Sequence, residues 1–376
     1  MLNGKKIMIA TGGTGGHINP GLAVAGYIRD NYPDAQILFV GTAVKMEAKL
    51  VPAAGYDFKT IDIQGFSRDL TPEGIKTNIE TAIKLVKSSS QAKKIIKEFN
   101  PDLVIGFGGY VSGPVLKTAA KMGIPTAVHE QNAFPGVTNK ALAKKVDRVM
   151  LTAPEAEKYM KPKNPCVITG LPVRGEMINA DRDISRAELK VDDRPVILSM
   201  GGSLGARVIN EAMTELIEKR YQQKNCYFLH ATGKNGVGMF DVIQNEKGID
   251  LKENTHIMLR EYIDDMYRCM AAADLVICRA GASSLSELQA MGKPSILIPY
   301  PYAAENHQYH NAMSLVNNDA AILIEEKDFT GERLIKEVDA LLANPERLKT
   351  IGENARKMAI YDATERIVKC LCEIVK

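Results

Sequence analysis

At 376 residues the chain exceeds the size at which one hydrophobic core stops growing, so two domains of ordinary size are expected. A composition of 45% hydrophobic and 25% charged residues excludes a disordered chain, and a net charge of +3 is too small to point to nucleic acid as a partner. No run approaches the roughly 18 apolar residues of a membrane span, no cleavable leader surrounds Lys5 and Lys6, and the six cysteines lack zinc-site or disulfide spacing, which predicts a cytosolic protein with buried, reduced thiols.

In chain order, short apolar runs recur between Gly, Pro and Asp: KKIMIA, ILFVG, DLVIGFGG, PTAVHEQ and DRVMLT, then PVILSMGG, CYFLHATG, DLVICRAG, PSILIPYP and AAILIEE. They read as fully buried parallel strands. Segments with helical apolar spacing separate them, among them 211–219, 282–291 and 308–316. The fold class is therefore α/β, with two Rossmann-like, doubly wound parallel sheets. The pattern restarts once, since GGTGG at 12–16 and GGSLGA at 201–206 each follow a first strand. The polar, proline-punctuated stretch 170–195 reads as the connection. The predicted domains are 1–172, 173–355 and a C-terminal helix over 356–376 that packs back on the first domain.

Three glycine loops end strands, at 12–16, 106–113 and 201–206. Strand-to-helix turns of this kind aim backbone amides and a helix N-terminus at a ligand and favour phosphate, although each alone can be a tight turn. If the domains face one another, the loop-bearing rims form one cleft. His17, between the first loop and a helix expected to start near Pro20, is placed to accept a proton from an attacking hydroxyl, or it fills a polar helix start. His129-Glu130-Gln131-Asn132 follow the strand PTAV as a polar cluster that suits binding. Ser283 and Ser284 can cap the helix after Arg279 and meet phosphate. Glu287, one turn in, either holds ribose hydroxyls or closes a capping box. The amide and imidazole groups of Asn306 to Asn311 suit sugar hydroxyls.

No His, Cys or carboxylate set has metal-ligand spacing, and the sole DxD, Asp181-Arg182-Asp183, lies in the connector as a solvated run, so no metal is expected. Ile75, Ile79, Ile83 and Val86 form an apolar helical stripe flanked by Lys76, Lys84 and Lys87, with Lys93, Lys94 and Lys97 following. This basic amphipathic segment, 75–97, is either an interfacial surface for an anionic membrane or a core helix with a solvated lysine face.

Taken together, GGTGGHINPGLAVA, GGYVSGP, HEQNAFPGVTNK, GLPVR, GGSLGA, EYIDDM and RAGASSLSELQAMGKPSILIPYPYAAENHQYHNA strongly resemble the MurG family of peptidoglycan glycosyltransferases, from residue 5 to about 320. The resemblance implies a GT-B fold whose two domains face a cleft, UDP-N-acetylglucosamine as donor, and the undecaprenyl-diphosphoryl-N-acetylmuramoyl-pentapeptide (lipid I) as acceptor. It implies inverting transfer to the muramoyl 4-hydroxyl without a cofactor, at the cytoplasmic face of the cell membrane, with His17 as base. The donor site it implies is Thr14, Gly15, Gly16, Asn132, Arg174, Ser203, Ile263, Ala282, Ser283, Glu287 and Gln308. In this set Ile263 offers backbone to uracil, Glu287 meets ribose, Ser203 and the 282–284 turn meet diphosphate, and Gln308 meets the sugar. Gly108, Gly109, Ser112 and Glu130 are the acceptor-side candidates. The family pattern has two consecutive glutamines where this chain has His307-Gln308, which leaves the role of His307 open. A diacylglycerol glycosyltransferase and a UDP-sugar epimerase are the alternatives, and an epimerase would act on the donor without acceptor.

Overall fold

The structure, a computed structural model, describes residues 2–65 and 71–375, except the side chains of Pro72, Gly74 and Ile75. The chain divides into two compact units, Met1–Pro172 with Asp362–Lys376, and Val173–Tyr361. The first holds β1 (Lys6–Ala10), β2 (Gln36–Gly41), β3 (Asp57–Thr60), β4 (Leu103–Gly106), β5 (Thr126–Glu130), β6 (Arg148–Leu151) and β7 (Val167–Ile168) in the order β3-β2-β1-β4-β5-β6-β7. The second holds β8 (Val196–Met200), β9 (Tyr227–Ala231), β10 (Ile257–Arg260), β11 (Leu275–Cys278), β12 (Ser295–Leu297) and β13 (Ile322–Leu323) in the order β10-β9-β8-β11-β12-β13. All pairings are parallel.

The apolar runs form strands because both faces of each sheet are covered. Ile7 and Ile9 join Phe39, Leu103 and Ile105 on one face, and Met8 and Ala10 join Leu38, Val40 and Val104 on the other. In the second sheet Leu198, Leu229 and Val276 share one face, and Ile197, Phe228 and Ile277 the opposite one. Strand side chains alternate with period two, so a run buried on both sides must be apolar throughout. The last helix, Ala363–Ile374, belongs to the first unit and buries Ile367, Val368 and Leu371 in the same cluster as Val24 and Ile28 of the first helix.

Strand order reverses once in each sheet, between β1 and β4 and between β8 and β11. Loops leaving two neighbouring strands in opposite directions open a crevice at their carboxyl ends, where open α/β sheets bind ligands. The loops after β1 and β4 converge on the first of these points, and those after β8 and β11 on the second.

The first helix begins earlier than expected, and the long helix shows which way its apolar stripe faces. The first spans Gly15–Asn31, so Pro20 lies inside it and His17 is its third residue. Proline favours helix starts, but here the glycines themselves make the first turn. The long helix Pro72–Phe99 buries Thr81, Ser88, Ala92 and Ile96, whereas Ile79, Ile83 and Val86 are 59%, 64% and 75% exposed. The described part of the apolar stripe thus faces solvent and is not core. The side chain of Ile75 and residues 66–70 lie outside the described residues.

Candidate functional site

In the first unit the β1 loop and the β4 loop meet backbone to backbone. Gly109 has φ +74°, and a Cβ there would lie 2.4 Å from the carbonyl oxygen of Gly12. Only glycine permits that approach. His17 stands at this junction. Its Nδ1 lies 3.2 Å from Gly12 O and 3.4 Å from Thr14 Oγ1, and a Cβ at Gly108 would meet Nε2 at 3.0 Å. A carbonyl oxygen only accepts, so the Gly12 bond requires protonated Nδ1 and leaves Nε2 as the basic nitrogen. Thr14, at the N-cap, makes no side-chain capping bond. Gly15 and Gly16 form the first turn beside His17, where a ligand meets backbone and no side chain.

The HEQN segment is built differently from its sequence reading. His129 and Glu130 are the last two residues of β5, 0% and 1% exposed. His129 Nε2 donates to Gly170 O at 2.8 Å, Nδ1 accepts from Gln131 Nε2 at 3.1 Å, and burial pushes its pKa down to about 4. Glu130 Oε1 accepts from the backbone and side-chain amides of Asn132, and Oε2 from Gly136 N and Asn139 Nδ2, all between 2.8 and 3.1 Å. With every lone-pair direction spent on the loop, Glu130 shapes the 131–136 turn and does not offer itself to an acceptor. Ser112 is likewise turned inward, donating to Gly108 O at 2.7 Å and bonding Ala10 O at 3.2 Å. The acceptor-side candidates Gly108, Gly109, Ser112 and Glu130 therefore set the shape of the rim. Gln131, a member of that polar cluster, has a buried Oε1 with no hydrogen-bond partner among the described residues, 3.4 Å from that same Gly108 Cβ position.

In the second unit Gly205 repeats this device: φ is +83°, and a Cβ would lie 2.1 Å from Thr232 O. The 201–206 loop is also tied to the 232–235 segment by Asn235 N donating to Leu204 O at 3.1 Å, and it leaves Ser203 exposed. After β11 the helix Ala282–Met291 starts with Gly281 at its N-cap and no side-chain cap. Ser283 and Ser284 thus sit in the first turn and do not cap it, and its leading N–H groups keep the anion-binding character of an uncapped helix start. Glu287 is the sixth helical residue, too far along for a capping box. Instead it pairs with Arg174, Nη2 to Oε1 at 3.2 Å. Burial pushes its pKa up and Arg174 opposes that shift. Arg174 also holds Glu176 at 3.0 Å, so its placement fits orienting Glu287.

Ile263 is 4% exposed with its side chain in the core. Gln308 Oε1 accepts from Tyr300 N at 2.9 Å, so its amide nitrogen is the donor end. His307 Nδ1 bonds Ala304 O at 2.7 Å. Just before it, Glu305 (φ +54°) and Asn306 (φ +51°) are consecutive left-handed residues. For glutamate this conformation is strained, and such strain concentrates at binding sites.

Asp181 caps the helix Arg182–Leu189 by accepting from Ile184 N at 2.9 Å, which explains the DxD as helix capping. Among the described residues no three His, Cys, Asp or Glu side chains form a group that could hold a metal. No helix among them is long and apolar enough to cross a membrane.

Comparison with known proteins follows the same division of the chain. The glycosyltransferase family 28 N-terminal domain matches residues 7–151, and the glycosyltransferase family 28 C-terminal domain matches residues 196–367. Over 373 residues the chain is 46% identical to the UDP-N-acetylglucosamine--N-acetylmuramyl-(pentapeptide) pyrophosphoryl-undecaprenol N-acetylglucosamine transferase of Acetivibrio thermocellus, covering 99% of this chain and 98% of the relative. It is 43% identical over 371 residues to the protein of the same name from Desulforamulus reducens, covering 98% of this chain and 99% of the relative. The crystal structure of Acinetobacter baumannii MurG matches with a TM-score of 0.78 and 29% identity, covering 98% of this chain and 99% of that one.

Proposed function

The chain belongs to glycosyltransferase family 28, and from that premise we propose that it transfers N-acetylglucosamine from UDP-N-acetylglucosamine to the 4-hydroxyl of the muramoyl sugar of undecaprenyl-diphosphoryl-N-acetylmuramoyl-pentapeptide. The observation that carries this reading is the 46% identity over 99% of the chain to a transferase named for that reaction. Part of the assigned site supports it, since Thr14 to His17 follow β1 at the first switch point, and Ser203 after β8 and Ala282, Ser283 and Glu287 after β11 lie at the second.

In the proposed mechanism the 4-hydroxyl oxygen attacks the anomeric carbon, the bond to the diphosphate oxygen breaks on the opposite side, and configuration inverts. The hydroxyl proton passes to His17 Nε2. Negative charge grows on the departing diphosphate, where Ser203 and the N-terminus of the helix beginning at Ala282 and Ser283 offer fixed donors in place of a cation. Glu287, oriented by Arg174, holds ribose hydroxyls, the Ile263 backbone holds uracil and Gln308 holds the transferred sugar. The family resemblance also assigns Thr14, Gly15, Gly16 and Asn132, which belong to the first unit, to the donor. No cofactor enters.

The test is transfer of labelled N-acetylglucosamine to a short-chain lipid acceptor, with and without EDTA. Turnover is expected to survive the chelator, and no product is expected without acceptor. Loss of most turnover, restored by Mg²⁺, would show that protein donors alone do not stabilise UDP. Acceptor-independent formation of an epimer would overturn the transfer reading.

The acceptor is carried by lipid, and we assign its delivery to the Pro72–Phe99 helix, which would hold the protein at the cytoplasmic face of the membrane. Ile79, Ile83 and Val86 recur at helical spacing, and their exposure has no use in a core. Lys76, Lys87, Lys93, Lys94 and Lys97 are exposed around them. Lys84 is not part of this reserve, because it bonds Gln64 Oε1 at 3.1 Å and Asp62 at 3.2 Å. A basic residue near an anionic bilayer contributes about 1 kcal/mol. Lys76→Glu with Lys87→Glu is therefore expected to weaken sedimentation with anionic vesicles at low salt by at least about 10-fold, with transfer to a water-soluble acceptor intact. Unchanged sedimentation would reduce the helix to a solvated face.

A further inference from the structure

We propose that Glu47 is a positioning residue for the His17 imidazole, acting through the peptide group between Gly12 and Gly13. The proposal rests on the reading of His17 as the base.

Glu47 is 0% exposed at the start of the helix Glu47–Ala53, and no part of the transfer reaction touches it. A buried carboxylate persists only where donors surround it. Every hydrogen-bond partner found for Glu47 is a donor: Thr42 N at 3.0 Å and Thr42 Oγ1 at 2.7 Å on Oε1, and Gly13 N at 3.0 Å on Oε2. The N–H of Gly13 and the C=O of Gly12 belong to one planar, resonance-polarised group. The carboxylate is bonded at its N–H end and His17 Nδ1 at its C=O end. Drawing the N–H toward Oε2 increases the negative charge on Gly12 O and strengthens its bond from Nδ1–H, as hydrogen bonds in a chain reinforce one another. The tautomer with basic Nε2 is thereby fixed, and the imidazolium formed on proton uptake is stabilised. A carboxylate hydrogen-bonded to a catalytic histidine does the same directly; here one peptide group lies between.

The sequence is shaped to admit this arrangement. A Cβ at Gly12 would lie 2.6 Å from Glu47 Oε1, and one at Gly41 2.6 Å from Glu47 Cγ. The Gly12 peptide is thus held between Glu47 on one side and the close approach of Gly109 on the other. Polar groups near the ring include Thr14 and Gln131, both uncharged, and His129, which bonds Gln131 and is kept neutral by burial.

The test reads His17 directly by heteronuclear NMR of its ring nitrogens, with Glu47→Gln as the variant. The wild-type ring is expected to carry its proton on Nδ1. Removing the negative group that stabilises the imidazolium lowers the ring's pKa, so the variant's titration should move to lower pH. The acidic limb of kcat should move with it, and kcat should fall by roughly 10-fold, a fraction of what a general base supplies, with acceptor KM little changed. A wild-type ring protonated at Nε2, with Nδ1 accepting from the Thr14 hydroxyl, overturns the proposal and needs no variant that must fold. An unchanged His17 titration in a folded Glu47→Gln protein also overturns it. A shifted titration with an unmoved kcat limb upholds the coupling and removes His17 as the base, so the two readings fail separately.

Discussion

His17→Ala is expected to lower kcat by roughly 10²- to 10⁴-fold, the usual contribution of a positioned base, with calorimetric UDP affinity nearly unchanged. The uracil, ribose and diphosphate contacts proposed for the nucleotide lie on the second unit, which the substitution does not touch. The acidic limb of the pH profile should vanish, since its origin is protonation of Nε2. A histidine that only binds the acceptor diphosphate or fills the helix start predicts a raised acceptor KM with kcat preserved, because only interactions made in the transition state alter kcat. Near-normal kcat at saturating acceptor would remove His17 from the chemistry. Glu130, the next acid along this rim, could not take its place without releasing the Asn132, Gly136 and Asn139 bonds that shape its loop.

The second large effect is expected at Gly205. An alanine there must adopt φ +83° with its Cβ 2.1 Å from the backbone oxygen of Thr232. The left-handed conformation alone costs about 1–2 kcal/mol, and a backbone oxygen cannot turn aside as a side chain can. Either the 201–206 loop leaves the 232–235 segment or the alanine is not accommodated. Gly205→Ala is therefore expected to lose at least about 2 kcal/mol of stability and most of its UDP affinity, because the loop would no longer present Ser203 or the following helix start correctly. Gly202 is the control. It has φ +91° but nothing within 4 Å of an added Cβ, so Gly202→Ala bears the conformational cost without the collision. Denaturant unfolding and UDP calorimetry on both variants read the difference. Equal behaviour would mean that backbone conformation, and not the meeting of two loops, demands glycine at 205.

The sequence by itself determined the architecture and the address of the site. Runs such as LVIG and LVIC are apolar at every position, which only a strand covered on both faces tolerates, and glycines within three residues of their ends mark strand ends that turn sharply. Motif order then identified the family, because glycine loops, HEQN and the segment around Glu287 recur together. What the sequence did not carry is which side chains meet. Glu47 reaches Gly13 across 34 residues and Arg174 reaches Glu287 across 113, and no local periodicity records a contact at such separation. It also could not tell inward from outward polar groups. Glu130 and Ser112 look available in a polar stretch, yet Glu130 is held by backbone and side-chain amides and Ser112 by backbone carbonyls. Ile79, Ile83 and Val86 read equally as core or as an exposed stripe, and it is another face of this helix, Thr81, Ser88, Ala92 and Ile96, that buries. Burial is decided by what packs alongside, and tertiary structure alone supplies that neighbour.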